Sequence, residues 1–384
     1  MRAASAFTQT ADPYRAGLSL GEELAPLEPE VVFLYASIHL GRSPELLSGL
    51  HDGLNREHVA VVGSTGDGFY ANRGPSEFGA TALALNSGDQ VRWHVVSARG
   101  VQADPAGATR AALAAAQQRL GGRRAALMVL LSDFNTDASE IEKVISTETT
   151  VPIVGGLAAD DNQMKRCAVF ANRELLRDAM VILAAEGEVH FSIHIGNSLA
   201  PVGKPGTVEA AEGKTLLRID GMDAESFVSN ATGKPVLQSD RGITSLTIID
   251  AREPHIRRLR SIVPDFTQQQ GGLGLYGGIE VGKHVQVCLA RPEDLIREVH
   301  QIAGRAHAEF PPVAALITSC VGRRWLLGDE IHHEVDALAQ EFGTTLPVAG
   351  FPSFGEIGPL RTPSGGFTRN LFHNMTYVLL LIGP

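Results

Sequence analysis

Cys320 closes an apolar run, Val313-Ala-Ala-Leu-Ile-Thr-Ser-Cys320, and Arg323 follows three residues later. A guanidinium that near favours the thiolate, the form of cysteine that attacks and ligates. In apolar surroundings the same residue is a small inert hydrophobe, and both readings stand. Arg323 carries a planar fork of donors suited to a carboxylate. Its structural alternative is an ion pair with Asp329 or Glu330. Glu356 ends the stretch Gly350-Phe-Pro-Ser-Phe-Gly-Glu356, where a carboxylate can bind a ligand amine or satisfy turn amides. Asp67 takes the corresponding place in Gly63-Ser64-Thr65-Gly66-Asp67-Gly68, with the same two readings. His373-Asn374-x-Thr376 precedes the last apolar run. There His373 can donate to a ligand, coordinate haem iron or satisfy a loop carbonyl.

Other spacings fail their chemistry. Gly272-x-Gly274-x-x-Gly277 has the dinucleotide-binding pattern, but Ile279 to Ala290 alternates like a strand and offers no helix N-terminus for a pyrophosphate. The stretch therefore reads as a hairpin turn. His333-Glu334 begins a zinc-type H-E-x-x-H but meets Ala337 where the second histidine belongs, so His332 and His333 read as a solvated helix face. His300 and His307 are seven residues apart on another predicted helix and lack a third ligand. Gly350 lies one residue too early for a nucleophile elbow around Ser353. No metal site is expected. An enzyme using Cys320 as nucleophile and His373 as base has no spacing that fixes an orienting partner.

These residues sit in a pattern that occurs three times. A buried-type strand leads through a helix to a second strand, a Gly-rich loop and a return strand. The units span Val31–Leu85, Ala125–Ala184 and Val313–Ile382. Their loops hold Ser64 and Thr65, Gly155 and Gly156, and Gly350. Glycine there either makes a tight turn or lets backbone N–H groups approach a ligand. Between the second and third units lies an α+β segment. It should contain a hairpin over Thr207–Asp220, a helix over Met222–Ser229 and a strand over Ile243–Ile249. Paired strands over His255–Val263 and Val281–Ala290 should follow, then a helix over Pro292–Phe310. The fold class is α/β with mixed sheets. Residues 1–28 read as a loose tail, 29–221 as one domain and 222–384 as a second.

Composition narrows the function. A formal charge of −10 over 384 residues, with no basic cluster beyond pairs such as Arg257-Arg258, argues against nucleic acid as a partner. Cys167, Cys288 and Cys320 show no C-x-x-C spacing, so neither a disulfide framework nor a cysteine zinc site is expected. No apolar run approaches the roughly 18 residues of a membrane span, and Met1–Leu20 lacks a secretory apolar core. A cytoplasmic location is the expectation.

Ser319-Cys320-x-x-Arg323, Pro347-Val-Ala-Gly350-Phe, Gly355-Glu356-Ile-Gly358-Pro and His373-Asn374-x-Thr376 together resemble the C-terminal half of the FIST family (F-box and intracellular signal transduction). Gly63-Ser-Thr-Gly66, Pro152-Ile-Val-Gly155-Gly156 and Ala159-Asp160 resemble its N-terminal half. Gly196-Asn197-Ser198 stands where many members have an aromatic residue, and Asp67 where Glu is more usual. The resemblance implies a cytoplasmic bacterial sensor of a small molecule, amino acids among them. It would signal to a histidine kinase or chemotaxis component, without membrane insertion. On residue chemistry, Arg323 would pair a zwitterion's carboxylate and Glu356 its ammonium, with His373 and Asn374 beside them in one cavity. No cofactor is needed for that reading. The alternative the resemblance implies is a haem-binding nitric oxide sensor, its iron on His373, His39 or Cys320. A cysteine-nucleophile enzyme is the third reading.

Overall fold

The computed structural model describes residues 1–196, 199–250, 256–264 and 271–384. Asn197, Ser198 and the start of the strand expected from His255 lie outside the described residues.

The chain opens with β1 (Arg2–Thr8) and α1 (Pro13–Leu24). The first unit holds β2 (Val31–Ser37), α2 (Ile38–Gly41), α3 (Glu45–Leu54), β3 (Ala60–Gly66), β4 (Phe69–Ala71), β5 (Gly74–Ser76) and β6 (Ala80–Asn86). After β7 (Val91–Arg99) and α4 (Pro105–Leu120) comes the second unit. It holds β8 (Ala125–Ser132), α5 (Ala138–Thr147), β9 (Ile153–Leu157), β10 (Val169–Ala171), β11 (Glu174–Leu176) and β12 (Ala179–Gly187). The intervening segment holds β13 (Phe191–Gly196), β14 (Ala200–Glu212), β15 (Thr215–Ile219), β16 (Met222–Asp223) and α6 (Ala224–Thr232). It continues with β17 (Thr244–Ile249), β18 (Arg257–Val263), β19 (Leu273–Leu275), β20 (His284–Leu289) and α7 (Pro292–His307). The third unit holds β21 (Ala314–Cys320), α8 (Val321–Leu327), α9 (His333–Phe342), β22 (Val348–Ser353), β23 (Glu356–Arg361), β24 (Phe367–His373) and β25 (Tyr377–Ile382).

Each unit is built on one parallel pair: β2 with β3, β8 with β9, and β21 with β22. The first strands are apolar and buried along their length, as strands covered on both faces must be. The return strand, β6, β12 or β25, lies antiparallel against the first strand. The short hairpins that follow the second strands are exchanged cyclically between units. β4 of the first unit pairs with β22 of the third, β10 of the second with β3 of the first, and β23 of the third with β9 of the second. Three six-stranded sheets result, each containing strands from two units. A boundary at residue 221 therefore divides the chain but not the sheets.

Three differences from the sequence reading have clear causes. Residues 1–28 are no loose tail: β1 pairs with β6 along its whole length and α1 packs on α3. The glycines of Gly17-x-x-x-Gly21 and Gly49-x-x-x-Gly53 make that helix contact close. A Cβ on Gly49 would fall 2.0 Å from the Tyr14 carbonyl, and one on Gly17 2.0 Å from that of Leu46. Gly49→Ala is expected to cost about 1–3 kcal/mol by overpacking. It should lower the urea midpoint without changing the slope. A midpoint equal to the parent's would show that the helices separate freely.

The other two differences concern the intervening segment. Its strands form a sheet that closes on itself, because the two ends of β14 pair with β20 and β15 respectively. Within it β18 and β20 are not neighbours: β17 lies between them, since all three are buried-type strands whose order no local pattern encodes. The Gly272–Gly277 stretch is not a turn either, because β19 runs through it and pairs with both β18 and β15. Val208, Leu216, Ile248, Ile262, Val285 and Val287 give this small barrel a core of its own. No helix of the described residues is long and apolar enough to cross a membrane.

Candidate functional site

The loops at the C-terminal ends of β8, β9, β21 and β22 converge beneath the barrel, the position where open α/β sheets place ligands. Each loop is fixed by its own polar contacts. After β8, the Asp133 carboxylate accepts hydrogen bonds from the Asn135 and Asp178 amides (2.8 and 3.0 Å). Thr136 Oγ1 donates to the Val101 carbonyl (2.9 Å). Phe134 is thereby presented to the cavity, edge-on to Phe354 with ring centroids 4.9 Å apart. After β9, the Asp160 carboxylate collects the amides of Met164, Lys165 and Arg166 (2.8, 2.7 and 3.1 Å). That turn holds Met164 at φ 52° against the cavity. The loops of the second and third units are joined by Leu157 N–H donating to the Gly355 carbonyl (2.8 Å) and Phe354 N–H to that of Leu157 (3.2 Å).

The barrel supplies the opposite wall. Arg241 Nε donates to the Tyr276 hydroxyl (2.7 Å), and its guanidinium also meets the Met164 sulfur. Together these groups enclose a cavity of about 450 Å³, with Phe134, Leu157, Met164, Tyr276 and Phe354 as its apolar and aromatic surface. Its charged lining residues, Lys214 and Arg241, are both cations. An adjoining recess of about 20 Å³ shares Tyr276 and Phe354 and is completed by Gly242, Cys320, Trp325 and Asn374. It has room for about one water molecule.

Two of the residues singled out in the sequence, Cys320 and Asn374, therefore line this site. Asn374 also ties the barrel to the third unit, since its Oδ1 accepts the Ser261 amide (3.2 Å) and its N–H donates to the Leu259 carbonyl (3.2 Å). Burial pushes the Cys320 thiol well above its ordinary range, which favours the protonated thiol over the thiolate. Asp67 acts one step back: its carboxylate accepts from the indole N–H of Trp325 (3.2 Å) and lies 3.7 Å from Arg324. Burial raises its pKa, opposed by those partners.

Gly63, Gly155, Gly156 and Gly350, with Ser64 and Thr65, lie within β3, β9 and β22 and not in loops after them. A Cβ on Gly155 or Gly350 would strike the carbonyl of the parallel neighbour, Leu130 or Ile317, at 2.0 and 2.2 Å. Gly63 occupies the same place against Leu34, and Gly156 meets the Gly355 carbonyl at 2.5 Å. Their small size admits backbone. Thr65 Oγ1 accepts the Ala168 amide (3.1 Å), while Ser64 is buried beside β10 with no hydrogen-bond partner for its hydroxyl among the described residues.

Arg323, Glu356 and His373 are each enclosed in protein. Arg323 Nε donates to Glu334 Oε1 (2.6 Å), its Nη1 lies 3.8 Å from Glu298, and its guanidinium lies over the Tyr377 ring. Asp329 and Glu330 are not its partners. Tyr70 OH donates to the second Glu334 oxygen (2.8 Å), and Tyr377 OH to the Glu334 carbonyl (3.0 Å). Glu356 accepts from Ser353 Oγ (2.6 Å) and from Thr376 N–H and Oγ1 (3.2 and 2.7 Å). Burial still pushes its carboxyl up to about 8. His373 is paired with Glu356 across β23 and β24, and its Nε2 lies 3.1 Å from the Gly358 carbonyl. A carbonyl only accepts, so that nitrogen carries the hydrogen, and burial lowers the ring to about 4 and keeps it neutral.

The haem ligands raised by the sequence do not fit a macrocycle here. His373 is fully enclosed with Nε2 engaged, and Cys320 opens only on the 20 Å³ recess. His39 lies half-exposed beside Asp161 and the Phe78 ring. Among the described residues no side-chain hydrogen bond joins Cys320 to a base. Sequence reasoning missed Phe134, Met164, Arg241, Tyr276, Trp325 and Phe354. Tyr276 lies inside the Gly272–Gly277 pattern and Trp325 two residues after Arg323, so both stretches drew notice for other reasons.

Residues 30–222 match the model of the FIST N domain and residues 215–359 that of the FIST C domain. A stretch of 93 residues, 24% of the chain, is 33% identical to an uncharacterized protein of Methanocaldococcus jannaschii and spans only 18% of that protein. Among solved structures, a cyanuric acid hydrolase from A. caulinodans aligns over 100% of this chain and 99% of its own at 9% identity and TM-score 0.35. A chorismatase aligns over 99% and 98% at 11% identity and TM-score 0.34. At those scores neither bears on the chemistry of this chain.

Proposed function

Because the chain belongs to the FIST family, whose domains are sensory domains of signal transduction, we propose that it binds a small carboxylate with an apolar or aromatic body in the cavity beneath Arg241. The observation that carries this reading is the cavity's composition: aromatic and apolar walls with Arg241 and Lys214 as the charged groups. A guanidinium grips a carboxylate through two parallel hydrogen bonds, and the rings take the body of the ligand. An aromatic amino acid belongs to this class. The carboxylate partner is thus Arg241 and not Arg323, whose fork is occupied by Glu334.

Binding rather than turnover is the event. The protonated Cys320 and the neutral, enclosed His373 support that reading. A ligand here would touch the barrel through Arg241 and Tyr276 and the second and third units through Phe134 and Phe354. It would favour whichever arrangement brings those walls together. The signal then passes to another protein, a histidine kinase or chemotaxis component.

Titration calorimetry with phenylalanine, tyrosine and phenylacetate tests this. Arg241→Ala is expected to weaken the tightest of them by about 1.5–3 kcal/mol, the scale of a hydrogen bond to a charged group. Unchanged affinity in that variant, or no binding by any of the three, would remove the reading. A Soret band in the purified protein would replace it with a haem sensor.

A further inference from the structure

The turn Gly328–His332, the start of α9 and the facing side of α7 gather three histidines and two carboxylates. One donor atom each from His332, His333 and Asp336 lies within 4.8 Å of the other two. His332 Nδ1 is 2.6 Å from the Asp329 carbonyl. A carbonyl only accepts, so Nδ1 carries the hydrogen and Nε2 keeps its lone pair. That Nε2 lies 3.7 Å from Asp336 Oδ2, one helical turn further on. His333 is used at both ends of its ring: Nε2 is 3.2 Å from Glu330 Oε2, and Nδ1 is 3.4 Å from His300 Nε2 on α7.

Imidazole nitrogen and carboxylate oxygen are the ligand set of zinc and its neighbours, whereas calcium and magnesium prefer oxygen alone. Zinc binds both at about 2.0–2.2 Å, which places two ligands of a tetrahedral ion about 3.3–3.6 Å apart. The His332–Asp336 separation of 3.7 Å lies close to that spacing, and the donor atoms of all three residues fall within 4.8 Å of one another. The Asp329 carbonyl and His300 each engage the far nitrogen of a ligand ring. Metal-binding histidines almost always have such a partner, which fixes tautomer and orientation. As ion pairs alone these contacts would contribute little, because His332 and Asp336 are 47% and 49% exposed.

We propose that His332, His333 and Asp336 bind a zinc-class divalent cation, with solvent in the fourth position and His300 bracing His333 from α7. The ion would tie α7 to the start of α9, the helix whose Glu334 holds Arg323. The test is calorimetric titration of the full chain, freed of metal by a chelator, with zinc chloride. One site per chain is expected. His332→Ala and Asp336→Asn should each abolish it while leaving the fold intact, since both side chains are half in solvent. His300→Ala should weaken it about 10–100-fold, as loss of a supporting partner does. His307→Ala, on α7 but paired with Glu341, should leave it unchanged. Zinc should raise the melting temperature of the parent and not of His332→Ala. Binding in His332→Ala as tight as in the parent, or equal loss in His307→Ala, would overturn the assignment.

Discussion

Arg323→Ala is expected to lower folding stability by about 3–5 kcal/mol, the cost of leaving a buried ion-pair partner uncompensated. Arg323 and Glu334 are both fully buried, and their 2.6 Å hydrogen bond joins α8 to α9. Removing the guanidinium leaves the Glu334 carboxylate with Tyr70 OH as its one side-chain donor among the described residues. It also removes the cation from the face of Tyr377. Arg323→Lys should recover part of the loss, since a single ammonium cannot reach Glu334 and Glu298 in the geometry of a fork. Replacing the pair together, Arg323→Met with Glu334→Gln, should cost less than Arg323→Ala, because the Glu334 carboxylate is then not left without its cation. Urea midpoints of the parent, the single variants and the pair decide the matter. A loss below about 1 kcal/mol for Arg323→Ala would mean that the pair is hydrated and open. Carboxylate affinity of the folded variant should match the parent's, because the ligand is assigned to Arg241.

The three-unit plan was readable because its central strands are buried on both faces and so appear as unbroken apolar runs. The exchange of hairpins was not. β4 and β10 are three residues each, too short for any period to show, and the sheet each joins is decided by a partner more than a hundred residues away. The docking of α1 did leave a trace in the matched Gly-x-x-x-Gly spacings of α1 and α3, which went unread. At the site, Cys320 and Asn374 were legible because they flank buried strands at the loop end. Sequence places Arg323 near a strand end but says nothing of Glu334, its partner on the next helix. Arg241 and Tyr276 come from the barrel, and their approach to Phe134 and Phe354 depends on how two separate cores pack. Local spacing cannot report that.

Stability should pass through a maximum near pH 6.5, set chiefly by Glu356, His373 and His194, with buried His51, also lowered by burial, acting in the same direction as the other two histidines. Glu356 titrates near 8 when folded and at its ordinary 4.5 when unfolded, chiefly through burial. Between those values the folded protein keeps a proton that the unfolded chain has released, so stability falls as pH rises. His373 and His194 do the opposite: burial lowers both from 6.5 to about 4. Between pH 4 and 6.5 the unfolded chain binds protons that the folded one refuses, so stability rises with pH. On the acid side the rising contributions of the buried histidines outweigh the fall from Glu356; above 6.5 that fall dominates. Glu356→Gln mimics the protonated carboxyl, with its amide N–H able to reach Ser353 Oγ and its oxygen able to accept from Thr376 as Oε2 does now. The variant should lose the decline above pH 6.5 and show a steeper acid limb. At about 1.4 kcal/mol per pH unit, the stability difference between variant and parent should shift by about 5 kcal/mol between pH 4.5 and 8. Urea midpoints measured across that range test it. Two parallel profiles would mean that Glu356 is ionised in the folded protein, its charge held by Ser353, Thr376 and solvent that reaches β23.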